Sequence, residues 1–321
     1  MSMFSSVEMA PRDPILGLNE QFGADKSPHK VNLGVGVYFD DHGKLPLLQC
    51  VRQAEAAMAA NPGPRGYLPI DGIADYDAAV KALVFGAGSQ LVQAARVATV
   101  QALGGTGALK IGADFLKQLR PGAKVLISDP SWENHRALFT QAGFEVGSYR
   151  YYDAATRRLD FEGMLADLKA AAPGTIVVLH ACCHNPTGYD ISAAQWDQVV
   201  AAVRAGGLTP FLDMAYQGFG YGLAEDGVAV AKFVAAGLEV FVSTSFSKSF
   251  SLYGERVGAL SVVCASKDEA ARVLSQLKIM IRTNYSNPPI HGASIVARVL
   301  HTPELRALWE QELAEMRTRI K

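Results

Sequence analysis

From Arg96 onward, short apolar runs rich in β-branched residues alternate with stretches whose apolar positions recur at helical spacing. The strand candidates are RVATVQ, KVLIS, FEVGSYR, TIVVLH, TPFLD, EVFVST and VGALSVV. This alternation predicts an α/β fold with a seven-stranded, mostly parallel sheet covered by helices on both faces. Ser192 with Gln195 reads as a capping box, and Gly143 and Gly206 read as helix ends. The first 44 residues break the rhythm. DPILGLNEQF is a short helical piece, VNLGVGVYFD is glycine-interrupted and extended, and Asp41-His42-Gly43 is a turn. Residues 1–44 are therefore expected to form an arm and part of a small domain, with a large domain over 45–302. Pro303 opens a helix whose stripe runs through Leu305, Leu308, Trp309, Leu313, Met316 and Ile320 and stops at Lys321 without a cap. That break predicts an interdomain helix over 303–321, in a fragment that lacks the remainder of the small domain.

Composition narrows the class. The 321 residues are 49% hydrophobic and 19% charged, a balance able to build a large core. Thirty basic against 31 acidic residues leave a net charge of -1, so no overall field favours nucleic acid or an anionic membrane. The four cysteines, Cys50, Cys182, Cys183 and Cys264, lack CxxC spacing, which suits a reduced cytoplasmic chain. The N-terminal stretch has neither a basic n-region before an apolar run nor an arginine-rich pattern, so export and organelle import are not expected. The purest apolar run, IVVLHACC, falls well short of the roughly 18 residues of a membrane span.

Four loops at strand ends carry the candidate chemistry, because ligands of open α/β sheets bind there. In GGTGALK, Gly104, Gly105, Thr106 and Gly107 let the backbone approach a phosphate at the start of a helix; alone, the string is equally a packing turn. In FLDMAYQGF, Asp213 ends an apolar strand, where a carboxylate needs a cation, a protonated ring nitrogen or a helix to cap. Asn185 in CCHNPTG reads by itself as a turn former, and Tyr216 by itself as core. In TSFSKSFSLYGERVGAL, Lys248 lies among serines and between phenylalanines, with Arg256 eight residues on. An enclosed amine has its pKa pulled below about 10.4, and the neutral amine is the form that makes Schiff bases. Hydroxyls and a guanidinium nearby suit a dianionic phosphate.

Together, DPILGL, NLGVGVY, GGTGALK, DPSWENH, CCHNPTG, DMAYQGFG, SFSKSFSLYGERVG and IRTNYSNPP resemble, in order and spacing, the fold-type I aspartate/aromatic aminotransferases. YLPIDG, SDPSWENH and SFSKSFSLYGERVG look more like the bacterial aromatic subgroup than dedicated aspartate enzymes. The resemblance implies pyridoxal 5'-phosphate as cofactor and transfer of an amino group between an L-amino acid and a 2-oxo acid such as 2-oxoglutarate. It implies that Lys248 carries the cofactor and moves the substrate proton, that Asp213 pairs with the pyridine nitrogen, and that Asn185 and Tyr216 bond its phenolic oxygen. Trp132 would cover the ring face, and Gly105, Thr106, Ser245 and Arg256 would hold the phosphate. His135 would support Asp213. Tyr67 and Arg282 would reach into the neighbouring subunit's site, which makes a homodimer with shared active sites. Gly36, Trp132, Asn185 and Arg282 would meet substrate. The arginine for the substrate α-carboxylate would lie beyond residue 321.

Other readings compete. The strand, GGTG, helix, strand and Asp129 resemble a dinucleotide site with the acid at about the expected 20-residue offset, although Lys110 stands where a third glycine belongs. An aspartate-selective enzyme and a non-catalytic protein that keeps the fold are further alternatives. A zinc set of His180, Cys182, Cys183 and His184 fails if all four lie on one strand, since alternation points Cys183 away from the rest. No metal is expected.

Overall fold

The computed structural model describes residues 2–13, 16–32, 34 and 36–321. By the density of its contacts the chain divides into Met1–Pro46 and Leu47–Lys321. In the first unit a helix covers Leu16–Ala24, and Asp40 closes a turn by accepting from the amides of His42 (2.9 Å) and Lys44 (2.8 Å). No β ladder forms among the described residues of the segment 31–40, where glycines interrupt the period of two; Leu33 and Val35 lie outside the described residues.

All seven predicted runs form strands of one sheet in the second unit. They are β1 (Val97–Leu103), β2 (Lys124–Asp129), β3 (Glu145–Arg150), β4 (Ile176–His180), β5 (Thr209–Met214), β6 (Phe241–Ser245) and β7 (Val257–Val263). The order is β1-β7-β6-β5-β4-β2-β3. Only β7 runs against its neighbours, pairing antiparallel with both β1 and β6. Central strands are apolar on both faces because helices cover both: Ile176, Val177, Val178 and Leu179 are each at most 1% exposed. The helix Gly104–Leu119 lays Leu109, Ile111, Phe115 and Leu116 onto one face, where Phe115, Phe211 and Phe241 form an aromatic contact chain.

The capping box forms as expected, with Ser192 Oγ accepting from Gln195 N and Gln195 Oε1 accepting from Ser192 N at the start of helix Ala193–Gly206. Gly206, expected to end that helix, stays helical, and the left-handed residue is Gly207 at φ +59°.

The helix Pro303–Ile320 buries Trp309, Leu313 and Met316, while Ile320 is 58% exposed. Trp309 Nε1 donates to the carbonyl of Ser249 (2.7 Å), and Arg317 Nη1 donates to that of Gly218 (2.6 Å). Glu312 accepts from the amides of Gln49 (2.6 Å) and Cys50 (3.1 Å), the first two residues of helix Gln49–Ala60. That helix has no side-chain cap of its own, so a carboxylate from far along the chain satisfies its first donors and meets its positive end. No helix among the described residues is long and apolar enough to cross a membrane.

Replacing Glu312 by alanine leaves both amides without this partner and is expected to lower stability by about 1–2 kcal/mol. An unchanged urea midpoint would show that the carboxylate contributes nothing.

Candidate active site

Parallel pairing sets His180, Asp213 and Ser243 side by side at the carboxyl ends of β4, β5 and β6. Asp213 is 6% exposed. Its Oδ2 meets Nε2 of the fully buried His135 at 2.8 Å, and Ser243 Oγ donates to Oδ1 at 3.4 Å. The other ring nitrogen, Nδ1, meets Ser131 Oγ at 2.9 Å. Trp132, half-buried, meets the His135 ring edge-on at 5.2 Å.

Two more imidazoles extend the cluster. His180 lies 4.9 Å from the His135 ring and 4.3 Å from that of His184. His184 uses both nitrogens, on Ser128 Oγ and Thr187 Oγ1 at 2.8 Å each, and stacks on Tyr151 at 3.9 Å. Burial first, then the facing imidazoles of His135 and His184, hold the His180 pKa well below its usual value. Burial likewise brings His184 down to about 3. β4 ends at His180 and the chain then turns, with Cys183 at φ +51°, so the strand alternation used against a zinc set does not apply past 180. The imidazoles are nonetheless engaged elsewhere.

Lys248 Nζ sits over the Tyr216 ring at 4.9 Å. Burial lowers its pKa, the Arg256 guanidinium adds to that, and the Asp213 carboxylate opposes it. The Tyr216 hydroxyl is pushed up to about 12, by burial first and then by Asp213. Two carboxylates without a sequence signal shape the flanking loops. Asp190 accepts from the amides of Cys183 (2.8 Å) and His184 (2.9 Å), fixing the chain that enters the half-buried Asn185. Asp226 accepts from Gly218 (2.8 Å), Gly220 (2.9 Å) and Tyr221 (2.9 Å), fixing the chain that leaves Tyr216.

An anion cradle completes the arrangement. Gly104, at φ +69°, begins the helix Gly104–Leu119, whose preceding residue Leu103 offers no capping side chain. The first-turn amides after Gly104 have no intrahelical acceptor, an arrangement that suits an anion. Arg256 lies across Gly104 so closely that a Cβ there would stand 2.5 Å from Nη2, and Gly104 N donates to the Arg256 carbonyl at 3.0 Å. Gly105 packs against Ser245, leaving 3.1 Å between a Cβ built on it and Ser245 Cβ. Thr106 follows, half-buried, in the first turn.

The structure thus gathers Asp213, His135 and Trp132, pairs Lys248 with Tyr216, and draws Gly105, Ser245 and Arg256 around one helix start. Tyr67, 95% exposed, and Arg282, exposed and bonded to Ser286 Oγ, face outward. Gly36 belongs to the first unit and is exposed. The dinucleotide reading fails on topology. β1 and β2, which flank the GGTG helix, are separated in the sheet by β7, β6, β5 and β4, so the adjacent parallel βαβ pair of that site does not form.

A family model described as aminotransferase class I and II matches residues 28–321. The chain is 65% identical to an aspartate aminotransferase of Pseudomonas aeruginosa over 321 residues, covering 100% of this chain and 81% of that protein. It is 52% identical to an aromatic-amino-acid aminotransferase of Escherichia coli over 319 residues, covering 99% and 80%. Among solved structures it superposes on an aromatic-amino-acid aminotransferase of Burkholderia pseudomallei, covalently bound to pyridoxal phosphate. That likeness has a TM-score of 0.97 and 69% identity, and it covers 100% of this chain and 80% of the other.

Because the fold depresses the His180 and His184 pKa values below those of the unfolded chain, these rings resist protonation in the native state only. Their contribution to stability is present above about pH 6.5 and is lost as pH falls from there towards the His184 value of about 3. Histidine NMR is expected to show both signals in the neutral position at pH 5.5; a midpoint near 6.5 for either would remove this effect.

Proposed function

The chain belongs to the class I and II aminotransferases, and we propose that it exchanges the amino group of an aromatic or dicarboxylic L-amino acid with the oxo group of a 2-oxo acid such as 2-oxoglutarate. It is an enzyme, and its cofactor is pyridoxal 5'-phosphate. The residues suit that group: a largely buried amine, a buried carboxylate backed by an imidazole, and a helix start roofed by a guanidinium. When bound, the cofactor supplies an aldehyde that condenses with amines and an electron-poor ring that accepts the electron pair left at the substrate Cα.

Lys248 is the residue assigned to carry the cofactor. The observation behind this reading is its desolvated amine over Tyr216, where burial favours the neutral, nucleophilic form. The Lys248 amine would also serve as the general base that takes the substrate Cα proton. Asp213 would hold the ring nitrogen, with His135 holding Asp213. Asn185 and Tyr216 would donate to the phenolic oxygen, and Trp132 would cover the ring face. Arg256, Ser245 and the amides of Gly105 and Thr106 would grip the phosphate.

The assembly assigned to the enzyme is a homodimer with shared sites. Tyr67 and Arg282, both exposed, are assigned to the neighbouring subunit's phosphate and to a substrate carboxylate. Gly36 is assigned to the substrate side of the first unit, residues 1–44 to an arm with part of a small domain, and 303–321 to the interdomain helix beside a large domain of 45–302. Four free cysteines suit a cytoplasmic location.

Purified with pyridoxal phosphate, the protein is expected to show the visible absorption of the bound cofactor, and Lys248→Ala to lose it; the same spectrum in both would remove Lys248 from the role. With 2-oxoglutarate as acceptor, tyrosine or phenylalanine is expected to give a kcat/KM within about tenfold of aspartate. A preference of about 1000-fold for aspartate would make the enzyme an aspartate aminotransferase.

A further inference from the structure

We propose that Cys182, Cys183 and Asp226 form a binding site for one soft divalent metal ion, between the loops that carry Asn185 and Tyr216. One sulfur of each cysteine and a carboxylate oxygen of Asp226 lie within 4.8 Å of one another, a span that a thiolate-bound ion closes with small side-chain movements. Both thiols are free. Cys182 is buried, Cys183 is half-buried and Asp226 is 4% exposed, so the donors converge inside the protein rather than on an acidic surface.

The backbone holds these groups in place before any ion arrives. Cys183 adopts φ +51°, a conformation that L side chains rarely take, and the Asp190 carboxylate fastens its amide and that of His184. This turn swings the Cys183 sulfur towards the Tyr216 carbonyl, at 3.9 Å, and hence towards the loop gathered by Asp226. Asp226 Oδ1 accepts from Tyr221 N, and a carboxylate oxygen has a second lone pair for a metal. Two thiolates and a carboxylate are a donor set for zinc or cadmium rather than magnesium or calcium. The neighbouring Cys183 thiol, then burial, hold the Cys182 pKa up. Each thiol that binds the ion gives its proton to the buffer as its sulfur–metal bond forms. His180 and His184 take no part, since their hydrogen bonds run to Ser131, Ser128 and Thr187.

The test is a titration of the pyridoxal-phosphate-loaded enzyme with cadmium chloride, in a phosphine reductant free of thiols, read by the ultraviolet charge-transfer band of a cadmium thiolate. The expected result is saturation at one ion per chain, with Cys183→Ser and Cys182→Ser each weakening binding by about 100-fold and shrinking the band. Cys50→Ser combined with Cys264→Ser is expected to leave the band intact. Asp226→Asn is expected to keep a band but weaken binding by about 10-fold. A cofactor spectrum like that of the parent enzyme confirms that a variant is folded, and the near-isosteric serine variants decide the matter if Asp226→Asn does not fold. No band with excess cadmium, an undiminished band in Cys183→Ser, or unaltered affinity in a folded Asp226→Asn would each overturn the proposal.

Discussion

The hydrogen bond between His135 Nε2 and the buried Asp213 carboxylate is the constraint around which the rest is arranged. A carboxylate this deep needs partners, and each comes from a different element. His135 comes from the helix after β2, and Ser243 from the adjacent strand β6. The parallel register that aligns His180, Asp213 and Ser243 brings this about. A slip of one residue in β5 would turn Asp213 to the other face and leave the imidazole without its acceptor.

Charge is distributed around that bond with some economy. Burial, the largest influence on Lys248, lowers its pKa against the opposing Asp213 carboxylate, and Arg256 adds to the lowering. His180 and His184 are held towards the neutral form by burial first and then by the His135 imidazole. The imidazoles of His135, His180 and His184, in edge-on and tilted contact, add bulk and polarisable surface to the wall behind Trp132.

Much of this was legible in the chain. The central strands announce themselves because they are buried on both faces and so are written as apolar runs, and the loops after them hold Asp213, Asn185 and Lys248 in recognisable strings. What stays hidden depends on distance through the chain. Nothing near Gln49 tells that Glu312 will cap it, and nothing in the period of apolar residues distinguishes Asp190 or Asp226 from solvated acids. Strand order is equally silent, which is why GGTG followed by Asp129 imitates a dinucleotide site until β1 and β2 are seen to lie far apart in the sheet. The end of helix Ala193–Gly206 shows a finer limit: with two glycines in a row, composition alone does not say which one takes the left-handed turn.

The helix Pro303–Ile320 touches the carbonyl of Ser249, one residue after Lys248, and that of Gly218, two residues after Tyr216. A rod about 27 Å long is thereby fastened at two points to the two loops that face each other across the amine. Neither loop can drift alone, because a shift of one drags the helix and so the other. Mechanically, the reactive amine and the phenol over which it lies behave as a single jaw, and a push on the rod moves both sides of it in step.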